Sequence, residues 1–334
     1  MKTLPRLAVL VLVLSGLVAA VRAETNSDAY IFTYFTKNGE DGLHLAWSKD
    51  GYKWESLNGG KSYLAPKVGN SKLMRDPCIV RGPDGTFHMV WTSGWNENNI
   101  GYASSKDLVH WSEEREIPVM AHEPTVRNSW APEIHYDPKR KEFIIFWAST
   151  IPENSSTPAT AAKVTGAVEG YHHKIYFTTT KDFVKFSPTK LFYDPGFSVI
   201  DATFLPANGH YYLIVKDETG KDDATGTAAR KYLQIAQTDD MQGPFGPLSA
   251  PITPDKLWSE GPTAIKIGDD YLIYFDAYTE KHYSALRSRD LKTWEDVHAK
   301  MSFPDEGTPV RMRHGTVIAV PGDIVAALRH VPTP

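Results

Sequence analysis

One short motif recurs five times, and it limits the fold more than any other feature of the chain. Ser48-Lys49-Asp50 is followed by Trp54, Ser105-Lys106-Asp107 by Trp111, Thr180-Lys181-Asp182 by Phe186, and Ser288-Arg289-Asp290 by Trp294; after Thr238-Asp239-Asp240 the aromatic residue, Phe245, comes one place late. Each motif closes a longer unit, seen complete between Leu257 and Asp296. There an apolar strand, Thr263 to Ile267, meets a Gly268-Asp269-Asp270 turn signal. The strands Tyr271 to Phe275 and His282 to Ser288 follow, rich in the β-branched and aromatic residues that strands prefer. Three to four short antiparallel strands in about forty residues make one propeller blade. Unit openings recur as Asp76-Pro77-Cys78-Ile79-Val80, Glu133-Ile134-His135-Tyr136, Asp201-Ala202-Thr203-Phe204-Leu205, Glu260-Gly261-Pro262-Thr263 and His314-Gly315-Thr316-Val317-Ile318. The ending at Asp50 has no opening before it, and the opening at His314 has no ending after it. The expected fold is therefore an all-β, five-bladed β-propeller, its ring closed by the N- and C-terminal segments.

Residues 1–23 read as a signal peptide. Lys2 and Arg6 precede an apolar run from Leu7 to Ala20, too short to span a bilayer comfortably, and Val21-Arg22-Ala23 offers small residues for cleavage. The expectation is a secreted or periplasmic protein, free of the membrane once the signal is removed, with a single propeller domain over residues 24–334. Cys78 is the only cysteine, which excludes internal disulfides, and its neighbours suggest a small buried residue. A net charge of −4 without a basic stripe argues against nucleic acid as a partner. The expected partner is an oligo- or polysaccharide, met by a monomer.

In a propeller the loop between the second and third strands of each blade returns to the face where the inner strands begin. The insertions fall in those loops, at Thr150 to His173 and Lys216 to Arg230, with shorter ones at Ser93 to Asn99 and Thr36 to Gly42. Loops gathered on one face point to a binding site. The openings are expected to place Asp76, Glu133, Asp201, Glu260 and His314 at equivalent positions around its mouth. One acid at a strand start is ordinarily a solvated turn residue, but four in register repel one another and raise at least one pKa. A bound cation or a pair of acid/base carboxyl groups would each stabilise such a ring. Glycoside hydrolysis uses one protonated and one ionised carboxyl group. Asp76 and Glu260 face each other across the mouth, as an inverting pair should, and Asp201 beside Glu260 would raise its pKa. Glu133 stands in the same relation to Asp76, so spacing alone leaves the roles open.

Arg75-Asp76-Pro77, Trp130-Ala131-Pro132-Glu133, Ile200-Asp201-Ala202 and Ser259-Glu260-Gly261-Pro262 occur one per blade and in order. Together they resemble the signatures of glycoside hydrolase family 43, five-bladed propellers that invert at the anomeric carbon of arabinose- and xylose-containing polysaccharides. The resemblance implies that Asp76 is the general base, Glu260 the general acid and Asp201 the residue that orients the acid and tunes its pKa. It gives Glu133 a supporting, substrate-binding role. His314 resembles a family histidine near the axis that binds calcium or an ordered water; no cofactor is required, and calcium near His314 is the one metal considered. An imidazole alone is a poor calcium ligand. Arg75 and Arg313 are candidates to hold sugar hydroxyls, with a structural ion pair as the equal alternative; Trp95, Trp130 and Trp258 are candidates to stack on the sugar, although blade packing is the better default for each, least so for Trp95 in its polar loop. The expected activity is that of an α-L-arabinofuranosidase or β-D-xylosidase releasing terminal sugars. The alternatives are a glycosidase on another furanoside, such as galactofuranose, and a non-catalytic sugar-binding propeller.

Overall fold

Continuous apolar runs such as Ile144-Ile145-Phe146-Trp147 form strands whose two faces are both buried, because successive side chains of a strand point to opposite sides. In the computed structural model, which describes residues 29–152, 171–221, 226 and 228–329, Ile144 and Phe146 pack toward one neighbouring sheet and Ile145 and Trp147 toward the other. The same division separates Ile31 from Phe32 and Leu272 from Ile273. The residues read as a signal peptide, and most of the insertion between Thr150 and His173, lie outside the described residues.

The strands form five antiparallel sheets, the five blades expected. Blade 1 contains Ala29–Tyr34, His44–Ser48 and Glu55–Ser56, with Val317–Val320 as its inner strand. Blade 2 is built from Arg75–Arg81, Phe87–Thr92, Ile100–Ser105 and Arg115–Ile117. Blade 3 has Trp130–Asp137, Glu142–Ser149, Lys174–Thr180 and Lys190–Tyr193. Among the described residues, blade 4 has Val199–Ala207, His210–Asp217 and Leu233–Thr238, with no fourth strand. Blade 5 comprises Glu260–Ile267, Asp270–Ala277, His282–Ser288 and Glu295–Asp296. Five apolar clusters lie between the blades, one at each blade-to-blade interface around the ring. Burying each large apolar side chain stabilises by about 1.5–3 kcal/mol, more than an exposed ion pair contributes, so these interfaces hold the ring together. One element was not expected, the helix Gly322–Arg329, which sets Val325 and Leu328 into the cluster between blades 1 and 2.

The repeated ending is a turn closed by its own side chains. Asp50 Oδ1 accepts the backbone N–H groups of Tyr52 and Lys53 at 2.8 and 2.9 Å, Ser48 Oγ accepts that of Gly51 at 2.8 Å, and Trp54 Nε1 donates to the Gly51 carbonyl. Asp107, Asp182 and Asp290 repeat the pattern. In blade 4, Asp240 Oδ1 accepts only from Gln242, and its other oxygen accepts from Lys139 and Arg140 of blade 3. There the motif's Asp serves a blade-to-blade contact, and the aromatic residue arrives late.

Ring closure is as expected, with Val317 facing Phe32 and Val320 facing Ala29 in antiparallel register. Gly315 makes this possible, since a Cβ there would lie 1.7 Å from the Thr33 carbonyl oxygen. That neighbour is backbone and cannot move aside. We expect Gly315→Ala to destabilise the fold by about 1–3 kcal/mol, the range typical of overpacking; an unchanged denaturant midpoint would show that closure does not need this approach.

Candidate active site

Each inner strand carries one extra residue near its start, a β-bulge that re-aims side chains. Arg75 faces Thr92 but Cys78 faces Val90, and the same shift falls between Trp130 and Glu133, Ile200 and Thr203, and Glu260 and Thr263. In the closing segment Arg313 faces Phe35 and Val317 faces Phe32, again with one residue extra. The bulge residue has positive φ in four blades: Asp76 (52°), Ala131 (46°), Asp201 (51°) and Gly261 (58°). Non-glycine residues held in this region cost of order 1–3 kcal/mol each, a strain that concentrates at functional sites.

The register corrects the ring expected from the motifs. Asp76 and Asp201 are equivalent, and His314 follows Arg313 as Asp76 follows Arg75. Glu260 belongs one residue earlier, level with Arg75, Trp130, Ile200 and Arg313. Glu133 belongs two residues later, level with Cys78, Thr203 and Thr263. A one-residue slip turns a side chain to a different place, so motif acids that align by chemistry need not align by backbone. Glu133 is 2% exposed, accepting from Thr203 Oγ1 at 2.9 Å and contacting His135 Nε2 at 3.0 Å, and it does not line the mouth. It is a buried, hydrogen-bonded acid outside the cavity lining, where the motifs had placed it at the mouth.

The other expected residues do converge. A cavity of about 290 Å³ is lined by Arg75, Asp76, Trp95, Trp130, Asp201, Trp258, Glu260, Arg313 and His314, joined by Thr92, Lys216, Glu218, Lys231 and Tyr278. The Arg75 guanidinium lies between the Phe35 and Trp95 rings, 4.7 and 4.2 Å from their centroids, and donates to Asn38 Oδ1 at 3.0 Å. Trp130 donates to the Trp95 carbonyl and meets that ring edge to face. Trp258 stands at the rim beside Tyr278, more exposed than the other two tryptophans.

Asp76 Oδ2 accepts from Thr92 Oγ1 at 2.7 Å, and Oδ1 lies 3.3 Å from His314 Nδ1. Burial works to raise its pKa, but His314, Arg75 and Thr92 outweigh it and hold the group at about 2. Burial likewise opposes the charge on His314, yet Asp76, Asp201 and Glu133 raise it to about 9. The imidazole is thus protonated at neutral pH and offers a cation no lone pair. No group of three or more His, Cys, Asp or Glu among the described residues is arranged to hold a metal.

Glu260 departs from its expected environment. Its Oε1 receives Arg313 Nη2 at 2.8 Å and its Oε2 receives Lys216 Nζ at 3.2 Å. Burial pushes its pKa up, but Lys216 and Arg313 reverse the shift and hold it below the ordinary value. Asp201, which accepts from the Gly261 N–H at 2.9 Å, shifts the other way, to about 6; burial is the main cause, and the charges of Glu260 and Asp76 add to it. Asp201 was expected to leave Glu260 with a raised pKa; the two repel each other, but Glu260 ends below its ordinary value and Asp201 above. The difference comes from Lys216 and Arg313. Arg313 is shared with Asp276, a fully buried acid that accepts from Arg311 at 2.7 Å and Arg313 at 3.2 Å. Lys216 and Asp276 both lie at the ends of second strands, facing Ile200 and Glu260, where Thr92 faces Arg75. The motif acids lie on inner strands; the signal for Thr92, Lys216 and Asp276 is the alignment of the second-strand ends across the repeats.

A five-bladed propeller with carboxyl groups from three blades in one cavity is an architecture for carbohydrate chemistry, and the comparisons agree. A family profile described as a probable glycosyl hydrolase domain, related to glycosyl hydrolase family 43, matches residues 25–323. The chain belongs to this family. It is 21% identical over 364 residues to an α-L-arabinofuranosidase of Bifidobacterium longum subsp. longum, an alignment covering 91% of this chain and 34% of that protein. The chain thus spans about a third of the length of the curated relative it matches. Among solved structures, a xylan β-1,4-xylosidase from Bacillus halodurans superposes with a TM-score of 0.53 at 18% identity, covering 71% of this chain and 44% of that one. A GH43_12 protein retrieved from a capybara gut metagenome gives 0.52 at 15% identity, covering 79% and 47%. At these identities the likeness to solved structures is one of fold. Among the described residues no helix is long and apolar enough to cross a membrane.

Proposed function

We propose that this protein is an exported, inverting glycoside hydrolase that removes terminal arabinofuranose or xylose from polysaccharides. The observation that carries the reading is the convergence of Asp76, Asp201 and Glu260, carboxyl groups of three blades, on one cavity, where their surroundings hold Asp76 low, at about 2, and raise Asp201 to about 6. Neighbouring acids pushed apart in this way supply a permanent carboxylate and a proton at the same pH. Asp76, ionised and oriented by Thr92 and His314, is the base that takes a proton from water as its oxygen attacks the anomeric carbon. Glu260, opposite, gives a proton to the departing glycosidic oxygen, and the negative charge it shares the site with keeps one proton on the Asp201–Glu260 pair. Arg75 and Arg313 hold sugar hydroxyls, and Trp95, Trp130 and Trp258 provide apolar faces for the ring. Support for the sugar comes from the name of the curated relative.

A screen of nitrophenyl glycosides tests this reading, and we expect turnover of α-L-arabinofuranoside or β-D-xyloside. A preference for galactofuranoside would change the sugar and keep the chemistry; sugar binding without turnover would favour the non-catalytic propeller. The pH dependence has a definite sign. A group whose pKa rises to about 6 keeps its proton below that value, so activity needing the proton should fall as pH rises through about 6. The lower limb should follow the ionisation of Asp76 toward about 2.

A further inference from the structure

Lys216 is buried among acids that compete for it. Its side chain is 2% exposed, with the ammonium 2.8 Å from Glu218 Oε2, 3.2 Å from Glu260 Oε2 and 4.9 Å from the centroid of the Tyr278 ring. Glu218 has a second cation, Lys231, at 2.7 Å from its other oxygen, so it does not depend on Lys216 alone. For Glu260 the balance differs. Arg313 occupies one of its oxygens but also contacts Asp276, and Lys216 occupies the other. With a cation on each oxygen, the ionised form of Glu260 is favoured over the protonated one. Asp201 accepts a backbone N–H and has no cation within ion-pair distance among the described residues; His314 and Lys216 lower its pKa only from further away, whereas Lys216 touches Glu260 directly.

We propose that Lys216 is a positioning residue that decides which of two neighbouring acids holds the proton of this site: it keeps Glu260 ionised in the free protein and leaves the proton on Asp201. The assignment concerns the free protein; only its kinetic consequence rests on the glycosidase reading. For Glu260 to protonate a leaving group, one proton must pass from the Asp201 carboxyl to Glu260, leaving Asp201 as a carboxylate and the total charge unchanged. Lys216 opposes that transfer, so it sets the pH range in which the acid is available. The groups that face Glu260 are Lys216, Glu218 and Asp201 from blade 4, Asp276 and Tyr278 from blade 5, Arg313 and His314 from the closing segment, and Arg75 and Asp76 from blade 2. Of these, Lys216 and Arg313 alone touch its carboxylate. Lys216 itself stays charged despite burial, because Glu218 and Glu260 raise its pKa.

Carbon-13 NMR of the full chain, labelled at Glu and Asp side-chain carboxyls, reads both protons directly; the resonances lost in Glu260→Gln and Asp201→Asn assign them. In the wild type Glu260 should titrate below Asp201. In Lys216→Met, Glu260 should move up by about 1–3 pH units and pass Asp201, while Lys216→Arg should keep the wild-type order. If Lys216→Met folds and Glu260 titrates as before, the proposal is overturned. It is equally overturned if Glu260 of the wild type titrates above Asp201, a result that requires no variant to fold. Should a substrate be identified, the upper limb of the pH profile should shift upward in Lys216→Met, which a merely structural lysine would not cause. Absence of any hydrolysis would count against the glycosidase reading and leave the titration result standing; hydrolysis with an unmoved Glu260 would do the reverse.

Discussion

Replacing Asp76 by Asn is expected to lower kcat/KM by about 10²–10⁴-fold, the usual worth of a positioned acid or base, without loss of the fold. The amide matches the carboxylate in size and its oxygen can still accept from Thr92, which donates to Asp76 at 2.7 Å. It cannot take a proton from an attacking water. The change also removes the carboxylate whose hydrogen bond and charge raise the pKa of His314, so that pKa should fall toward its ordinary value. NMR of the imidazole would report this second effect independently of activity. Sugar binding, measured by calorimetry, should persist, because Arg75, Arg313 and the tryptophans are untouched. Turnover within a few-fold of the wild type would remove Asp76 from the role of base.

Glu260→Gln should separate substrates by their leaving groups. Natural linkages release an alkoxide-like oxygen that must be protonated in the transition state, and their hydrolysis should fall by about 10²–10⁴-fold. Activated aryl glycosides depart with little help and should fall far less. The variant is expected to fold, since Lys216 keeps Glu218 and Arg313 keeps Asp276 as charged partners. Glu133→Gln should show no dependence on the leaving group, because Glu133 lies in the channel with Thr203 and His135 rather than in the cavity wall. A leaving-group dependence that followed Asp201→Asn instead would make Asp201 the acid, in keeping with its raised pKa.

The blade plan was legible in the chain because its determinants are local or repeat at fixed spacing. Each ending closes on its own Ser or Thr hydroxyl and Asp carboxylate within a few residues. Apolar runs mark strands buried on both faces, and the orphan pieces at Asp50 and His314 imply the closure seen between Phe32 and Val317. Asp76, Asp201 and Glu260 were likewise visible, as acids recurring at blade openings. Their relation to one another was not. The bulge puts Asp76 and Asp201 in register, lifts Glu260 to the level above and drops Glu133 to the level below. Which acid holds a proton depends on Lys216 and Arg313, which lie 44 and 53 residues from Glu260 and meet it only when blade 5 packs against blade 4 and the closing segment. Proton affinity in a buried site follows burial and the charges within a few ångströms. The chain alone therefore determined which carboxyl groups are available, and tertiary structure decided which of them is ionised.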